Sequence, residues 1–182
     1  MKLTHRLIDL MQIPYNKLPK ALSDMIWNVF TVSDSKIAVT SRYMYLKKYA
    51  SFIDRNIYVG KFVCLKNIDR LTIGKNVSIH SFSYIDAYGE IFIGDNVSIA
   101  NHCTLISSEH TWDDRNMPIK FNAICPKKII IEKDVWIASG VRILGGNIIR
   151  ERNIIGAGAV LTKNTEPNSL YVGIPAKRMK EV

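Results

Sequence analysis

The chain has 182 residues, of which 47% are hydrophobic, and it carries a net charge of +9 at pH 7. This content is enough for one domain with a sizeable core and excludes a disordered chain. No apolar run approaches the roughly 18 residues of a membrane-spanning helix, and the three cysteines have no metal-like spacing, so we expect a reduced, cytoplasmic protein. The positive charge predicts an anionic partner: a phosphorylated cofactor, an acidic sugar, a membrane surface or nucleic acid.

Residues 1–50 are predicted to form a helical cap. Pro14 and Pro19 separate two segments in which apolar residues recur at roughly helical spacing. The first segment carries Leu3, Leu7, Leu10 and Met11, and the second carries Leu22, Met25, Ile26, Val29 and Phe30. We expect two short amphipathic helices that pack on the rest of the chain. The basic residues nearby, Lys17, Lys20, Lys47 and Lys48, leave a weak association with a membrane surface open as an alternative.

From residue 53 onward an aliphatic residue occupies every sixth position over long stretches. These positions are Ile53, Val59 and Leu65, then Ile73, Ile79 and Ile85, then Ile93, Ile99 and Leu105, and finally Ile131, Ile137, Ile143, Ile149, Ile155 and Leu161. A period of six is neither the 3.6 of a helix nor the 2 of a strand. It fits a chain that turns a corner after each short strand, so that three strands form one triangular coil and stacked coils bury a continuous aliphatic column.

Interruptions of this period indicate what the corners do. Gly74, Gly94 and Gly156 each follow an inward isoleucine, where a tight corner favours a residue without a Cβ atom. The first three series restart every 20 residues, which predicts additional residues at one corner of each coil. The period is lost over residues 107–128, which begin with the letters SSEHTWDD. Long irregular segments in compact domains are usually functional or disordered, and this composition favours a functional loop.

Three blocks of sequence occur in a characteristic order. They read IGDNVSIANHCTLISSEH, KDVWIASGVRIL and IIGAGAVLTKN, the last followed by YVGIPAKRMK. They resemble the hexapeptide-repeat acetyltransferases, in particular the galactoside, maltose and nodulation-type O-acetyltransferases. The resemblance implies an all-β fold, a left-handed parallel β-helix over residues 51–165 with one long protruding loop at 107–128. Residues 1–50 then form the short α-helical N-terminal cap, and residues 166–182 form a basic C-terminal tail that completes the coenzyme A site.

The same resemblance implies the catalytic residues. His110 is expected to be the general base, which takes the proton of a sugar hydroxyl as the oxygen attacks the acetyl thioester. An imidazole suits this step because its ordinary pKa is about 6.5. The second ring nitrogen requires an acceptor, and Glu109, Asp113, Asp114 and a backbone carbonyl all remain open for this role. Ser139 is expected to donate, through its N–H or its hydroxyl, to the oxyanion of the tetrahedral intermediate.

A site for acetyl-CoA as co-substrate is also implied, and no metal is expected. Trp136 is expected to form a wall of the acyl pocket, with an outward-facing packing role as the alternative. The small residues 156–159 would let the pantetheine arm lie close to the coil. The implied cofactor-binding residues are Trp136, Ser139, Ala157, Thr162, Lys163, Lys177 and Lys180. The lysines among them are suited to the phosphates of the cofactor.

His80, Trp112 and Asp113 are the candidate residues for binding the acceptor. Relatives often place a polar residue at the coil turn where His80 stands, and the apolar ring face of Trp112 suits a pyranose ring. The expected acceptor is a sugar or a polysaccharide precursor in bacterial surface polysaccharide biosynthesis. We expect a homotrimer with its active sites between subunits, no nucleic-acid partner, and a cytoplasmic location that includes the periphery of the inner membrane.

The chain departs from the family pattern at several points, which leaves the acceptor open. Ala138 replaces the usual glycine after Trp-Ile, and Arg150 stands at another usual glycine place. The alternatives are an N-acetyltransferase acting on an amino-sugar nucleotide, a serine acetyltransferase, and a non-enzymatic solenoid. A zinc hydratase resembling the γ-class carbonic anhydrases would require three histidines at a set spacing, which His80, His102 and His110 do not show.

Overall fold

The computed structural model describes residues 2–182, with side chains described from residue 8 onward, so the side chains of Leu3 and Leu7 lie outside the described part. The chain begins with three helices, α1 (Lys2–Asn16), α2 (Lys20–Phe30) and α3 (Lys36–Tyr49). Pro14 lies in the last turn of α1 rather than between helices, whereas Pro19 directly precedes α2. Over the described residues, no helix is long and apolar enough to cross a membrane.

Helix α3 was not predicted from the spacing of apolar residues. Its buried residues are Ala38, Ser41, Arg42, Met44 and Leu46. Polar side chains therefore share the buried surface with apolar ones, and the amphipathic pattern that identifies a helix in a sequence is blurred. The start of the helix does follow a sequence rule, because the Ser35 hydroxyl accepts a hydrogen bond from the Ala38 N–H at 3.3 Å.

Arg42 joins the helical cap to the first coil. Its side chain is fully buried, and its Nε donates to the Val59 carbonyl at 2.8 Å. Nη1 donates to the carbonyls of Phe30 and Ser33, and Nη2 donates to the Asp34 carboxylate at 3.0 Å. Burial lowers the pKa of the guanidinium, and the charge of Asp34 opposes this effect. The hydrogen bonds of Arg42 thus join α3 to the end of α2, to the loop between α2 and α3, and to the first coil.

The rest of the chain is a parallel β-solenoid of about six turns, whose strands form three sheets. Sheet A contains β1 (Phe52–Ile53), β4 (Leu71–Ile73), β7 (Ile91–Ile93), β12 (Ile129–Ile131) and β15 (Ile148–Ile149). Sheet B contains β2 (Ile57–Val59), β5 (Val77–Ile79), β8 (Ser98–Ile99), β13 (Trp136–Ile137), β16 (Ile154–Ile155), β18 (Ser169–Val172) and the antiparallel β19 (Lys177–Glu181). Sheet C contains β3 (Cys64–Lys66), β6 (Tyr84–Asp86), β9 (Thr104–Ile106), β14 (Arg142–Ile143) and β17 (Val160–Leu161). A separate hairpin contains β10 (Ser108–His110) and β11 (Ile124–Pro126), and the predicted fold class is confirmed.

The predicted aliphatic positions form the core of this solenoid. All of them are buried except Ile53 and Leu65, which are partly buried and pack against the core. Most strands also bury the residue two positions earlier, as Val77 is buried beside Ile79. Side chains two apart in a strand point to the same face, so both enter the interior. The six-residue period therefore identified one of the two inward positions on each side of the coil.

The coil has three corners, which we name after the sheets that they join. The A–B corner comprises residues 54–56, 74–76, 94–97, 132–135 and 150–153. The B–C corner comprises residues 60–63, 80–83, 100–103, 138–141 and 156–159. The C–A corner comprises residues 67–70, 87–90, 107–128, 144–147 and 162–165. The additional residues of the first two coils and the long loop of the third all enter at the C–A corner.

A ladder of asparagines follows the A–B corner. Asn56, Asn76 and Asn96 have φ values of 60°, 58° and 58°, a left-handed conformation that asparagine tolerates well. The Nδ2 group of Asn56 donates to Oδ1 of Asn76 at 2.9 Å, and the Nδ2 group of Asn76 donates to Oδ1 of Asn96 at 2.8 Å. Asp134 and Arg152 have the same conformation at this corner in later coils and form an ion pair at 3.2 Å. Side chains thus connect neighbouring coils outside the core.

Gly74 shows why a corner residue without a Cβ atom was predicted correctly. A Cβ atom at this position would lie 3.0 Å from the backbone nitrogen of Asp95 and closer still to the Asp95 carboxylate. The obstacle is therefore the next coil, which stacks directly on the glycine, rather than a left-handed backbone.

Candidate active site

The loop at the C–A corner folds into the hairpin of β10 and β11, in which His110 lies opposite Ile124 and Glu109 opposite Cys125. His110 and Glu109 are both exposed, and neighbouring side chains of a strand point to opposite faces. The Glu109 carboxylate forms an ion pair with Lys127 at 2.6 Å, which raises the pKa of Lys127. Glu109 was one of the acceptors left open for the His110 ring. Its carboxylate instead pairs with Lys127, on the face of the hairpin opposite His110.

The base of the hairpin is fixed to the second coil by Ser107, which is fully buried. Its hydroxyl donates to the Asp86 carbonyl at 2.8 Å and accepts from the Gly89 N–H at 2.9 Å. Its carbonyl accepts from the Lys127 N–H at 2.7 Å. These bonds give the strand that carries His110 a fixed origin on the solenoid. The sequence placed Ser107 at the first position of the loop but gave no sign of this role.

The far part of the hairpin is organised by Asn122, which is 8% exposed. Its Nδ2 group donates to the carbonyls of Asp114, Met117 and Pro118, and its Oδ1 atom accepts from the Asp114 N–H at 3.1 Å. The Asp114 carboxylate accepts from the Asn116 N–H at 2.9 Å, so it takes part in the turn. Asn122 was not predicted from the sequence, because local side-chain bonds to carbonyls of an irregular loop leave no periodic signal.

The hairpin exposes an apolar surface beside its polar candidates. His110, Trp112 and Asp113 are exposed, and Trp112 is 65% exposed. The other large apolar side chains exposed there are Met117, Ile119, Phe121 and Ile124. Large apolar side chains exposed together on one loop are typical of contact sites for other molecules or subunits.

Ser139 lies at the B–C corner, on the coil that follows the hairpin. Its hydroxyl donates to the Asn101 carbonyl at 3.2 Å, and its carbonyl accepts from the Gly158 N–H at 2.9 Å. Within residues 2–182 no hydrogen-bond partner is found for the Ser139 N–H. Of the two donors left open for an oxyanion, the backbone N–H is therefore the available one. His80 lies at the same corner two coils earlier, with its ring 5.4 Å from that of Tyr58.

Trp136 lies on the outer face of sheet B and is 51% exposed. Its neighbours in register are Ser98 and Ile154 in the adjacent coils. With Asp134, Arg152 and other residues it lines an open groove of about 280 Å³. The ring therefore faces outward from the coil and forms part of the wall of this groove, and its role at the acyl pocket stays a prediction.

The candidate cofactor residues occupy three places. Ala157 is exposed at the B–C corner directly beside Gly158. Thr162 and Lys163 are exposed at the C–A corner of the last full coil. Lys177 and Lys180 are exposed on β19, opposite Val172 and Leu170 of β18. Among the described residues, no group of three or more His, Cys, Asp or Glu side chains is arranged to hold a metal.

Within one chain these candidates are not brought to one point. His80, Ser139 and Ala157 share the B–C corner, whereas His110 leaves the solenoid at the C–A corner. The two candidate catalytic residues thus belong to segments at different corners of the coil.

No family model matches the chain. A putative acetyltransferase of the fission yeast Schizosaccharomyces pombe is 42% identical over 94 residues, which are 50% of this chain and 44% of that protein. The galactoside O-acetyltransferase of Escherichia coli K12 is 30% identical over 145 residues, which are 79% of this chain and 70% of that protein. A solved structure of a galactoside acetyltransferase in complex with coenzyme A matches with a TM-score of 0.78 and 27% identity, over 92% of this chain and 81% of that one.

The chain belongs to the hexapeptide-repeat acetyltransferase family, as the three sequence blocks predicted. It spans between 43% and 70% of the length of the first curated relatives that it matches.

Proposed function

We propose that this protein transfers the acetyl group of acetyl-CoA to a sugar hydroxyl in bacterial surface polysaccharide biosynthesis. The observation that carries the proposal is the hairpin of residues 107–128, which interrupts an otherwise regular coil and presents an exposed histidine, His110, on a fixed strand. The likeness to galactoside O-acetyltransferase over 79% of the chain supports the reaction class.

His110 is the general base in this proposal. Its imidazole accepts the hydroxyl proton while the sugar oxygen bonds to the thioester carbonyl carbon. The carbonyl oxygen becomes an oxyanion, and the free N–H of Ser139 donates a hydrogen bond to it. Collapse of the intermediate breaks the carbon–sulfur bond, and the imidazolium returns its proton to the departing thiolate. Trp136 restricts water at the acyl group from its place on the adjacent strand.

The surface at the B–C corner fits the narrow arm of acetyl-CoA. A Cβ atom built at Gly158 has no atom within 4 Å, so the coil presents open backbone there, beside Ala157. Thr162, Lys163, Lys177 and Lys180 are exposed polar or basic residues near the same end of the solenoid and are assigned to the phosphates. When bound, acetyl-CoA supplies the activated acetyl group.

We assign the active site to the boundary between subunits of a homotrimer. His110 and Ser139 belong to different corners of one chain, so a neighbouring copy can supply the hairpin that faces Ser139. The apolar side chains that the hairpin exposes, such as Trp112 and Phe121, would be covered by such a contact. Trp112 and Asp113 then reach the acceptor from the same neighbour, and His80 reaches it from the B–C corner.

A cytoplasmic protein that associates weakly with the membrane surface is part of the proposal. Helices α1 and α2 expose Leu10, Ile13, Met25 and Val29, and α3 exposes Ile37. Apolar side chains flanked by lysines are typical of interfacial association. Flotation with vesicles containing anionic lipid tests this part, and equal binding to neutral vesicles contradicts the electrostatic contribution.

The experiment that tests the function measures thiol release from acetyl-CoA with a panel of bacterial oligosaccharides. Wild-type protein is compared with His110→Ala, which is expected to retain its fold and to lose about 10²- to 10⁴-fold in rate. Release that depends on a sugar acceptor and is lost in the variant supports the proposal. Release with an amino-sugar nucleotide alone would identify an N-acetyltransferase instead, and unchanged turnover in His110→Ala would contradict the assigned base.

A further inference from the structure

One position of the B–C corner recurs on five successive coils. It is occupied by Phe62, Phe82, His102, Gly140 and Gly158, with φ values of 55°, 63°, 59°, 73° and 69°. The N–H groups of the last four each donate to a carbonyl of the coil before, at 2.9 to 3.2 Å. The position is therefore equivalent on each coil, and it carries an aromatic ring on three coils and no side chain on the next two.

The three rings form an exposed stack. The rings of Phe62 and Phe82 lie 5.1 Å apart at 19°, and those of Phe82 and His102 lie 5.1 Å apart at 5°. A positive φ is unfavourable for bulky side chains, and such strain concentrates at functional sites. The A–B corner of the same coils uses Asn76 and Asn96 in the same backbone conformation. The A–B corner of these coils thus exposes polar asparagines in this conformation, whereas the B–C corner exposes aromatic rings.

The stack ends beside the proposed oxyanion donor. The equivalent position of the next coil is Gly140, where a Cβ atom would meet only Gly158 at 3.9 Å, so this position adds no side chain over the face of the His102 ring that points along the stack. Ser139 directly precedes Gly140 in the chain. A sugar ring that packs on this face of His102 would lie next to the Ser139 N–H, where the acceptor hydroxyl must approach the thioester carbonyl.

A guanidinium lies at the same point. Arg142 is exposed, and its Nη1 donates to the carbonyls of His102 and Gly140, each at 2.8 Å. Over residues 2–182 Arg142 has no carboxylate partner, whereas Arg150 and Arg152 at the A–B corner each pair with one. The two carbonyls hold the guanidinium in place and leave Nε and Nη2 without hydrogen-bond partners among the described residues. A planar guanidinium with donors to spare is suited to a carboxylate.

We infer that the acceptor is a carboxylate-bearing sugar, whose pyranose ring packs on the open face of His102 and whose carboxylate is bound by Arg142. The inference rests on the proposed O-acetyltransferase function and specifies its substrate class. Arg142 sets the specificity and takes no part in the proton transfer. The sequence did not point to this residue, because its significance depends on the stacking of coils.

The test uses matched acceptors that differ only in charge. Methyl glucuronoside and methyl galacturonoside are each compared with the corresponding uronamide, in which an amide replaces the carboxylate. For the wild type we expect kcat/KM to be roughly 10- to 100-fold higher for the acid than for the amide, the range of a charge-assisted hydrogen bond. Arg142→Gln should lose this preference through a higher KM for the acid, with a much smaller rise in KM for the amide, whose neutral oxygen accepts a weaker hydrogen bond. His102→Ala should raise KM for both acceptors.

Two further measurements separate failure of this inference from failure of the proposed function. Acetyl-CoA binding is measured by calorimetry, and the melting temperature is measured for every variant. Equal use of acid and amide, use of neither, or a preference that survives in Arg142→Gln overturns the inference. Weaker acetyl-CoA binding by Arg142→Gln also overturns it, because Arg142 would then bind a phosphate of the cofactor. Absence of acetyl-CoA binding by the wild type refutes the proposed function itself.

Discussion

The Arg42 guanidinium and the Asp34 carboxylate lie 3.0 Å apart where the helical cap meets the first coil. The same carboxylate accepts a hydrogen bond from the backbone N–H of Lys61 at 2.8 Å. The arginine side chain is fully buried, whereas 35% of the aspartate side chain is exposed. The pair therefore connects the loop before α3 to the B–C corner, and it closes the open end of the solenoid with polar bonds as well as apolar contacts.

Replacement of Arg42 by alanine is expected to lower the free energy of unfolding by about 3–5 kcal/mol, the usual cost of removing one member of a buried pair. Urea unfolding followed by circular dichroism measures the loss. The matched control is Arg150→Ala, which removes the exposed pair with Glu132 and should cost less than about 1 kcal/mol. Equal losses in the two variants would show that Arg42 does not close the coil.

The asparagine ladder gives a prediction about backbone conformation. Asn76→Ala should destabilise the protein by about 1–3 kcal/mol, because it removes two hydrogen bonds and places a Cβ-bearing residue without a polar side chain at positive φ. Asn76→Gly removes the same bonds but tolerates the conformation, so its loss should be smaller. Both are measured by urea unfolding. A larger loss for glycine than for alanine would mean that the conformation at this corner carries no cost.

The cysteines should differ in reactivity. Burial raises the pKa of the Cys103 thiol, whereas Cys64 is exposed on the outer face of sheet C. The thiolate is the reactive form, so iodoacetamide at pH 8 should label Cys64 quickly and Cys103 only after unfolding. Peptide mass spectrometry over time distinguishes the two sites, with urea-unfolded protein as the control. Labelling of both at one rate in the native state would contradict the burial of Cys103.

The proposed site between subunits predicts complementation. His110→Ala and Trp136→Ala should each be inactive alone, because each lacks one half of every site. In a trimer that contains both chains, one site in three combines an intact His110 with an intact Trp136. Co-expression with two different affinity tags and tandem purification isolates mixed trimers. Recovery of about a third of the activity is expected, and no recovery would place the whole site within one chain.

The basic end of the chain gives a salt-dependent prediction. Lys177→Ala should weaken acetyl-CoA binding by roughly two- to fivefold at low salt and by less at high salt, because exposed charges are screened. Calorimetry at two ionic strengths measures the difference. Lys17→Ala, on the helical cap, should leave the affinity unchanged. Equal affinity for wild type and Lys177→Ala at low salt would remove Lys177 from the cofactor site.

The sequence predicted the solenoid because its period follows directly from the geometry of the coil. Positions such as Ile79 and Ile137 must face inward wherever three short strands close a triangle, so the chain repeats them. The six-residue period also indicates at which corner a residue lies. Ser139 comes after an inward residue of sheet B, and His110 comes after an inward residue of sheet C. Arg42 could not be predicted as a central element of the cap, because a buried charge depends on acceptors distant in sequence.

The C–A corner has one further consequence. Ile93 and Ile131 are paired neighbours in sheet A, and the coil between them contains the hairpin at its C–A corner. Ile73 and Ile93 are paired in the same way, and the coil between them has a short C–A corner. The length of a segment at this corner is therefore uncoupled from the alignment of the strands on either side. Selection can therefore lengthen, shorten or exchange that segment while the strands on either side keep their alignment.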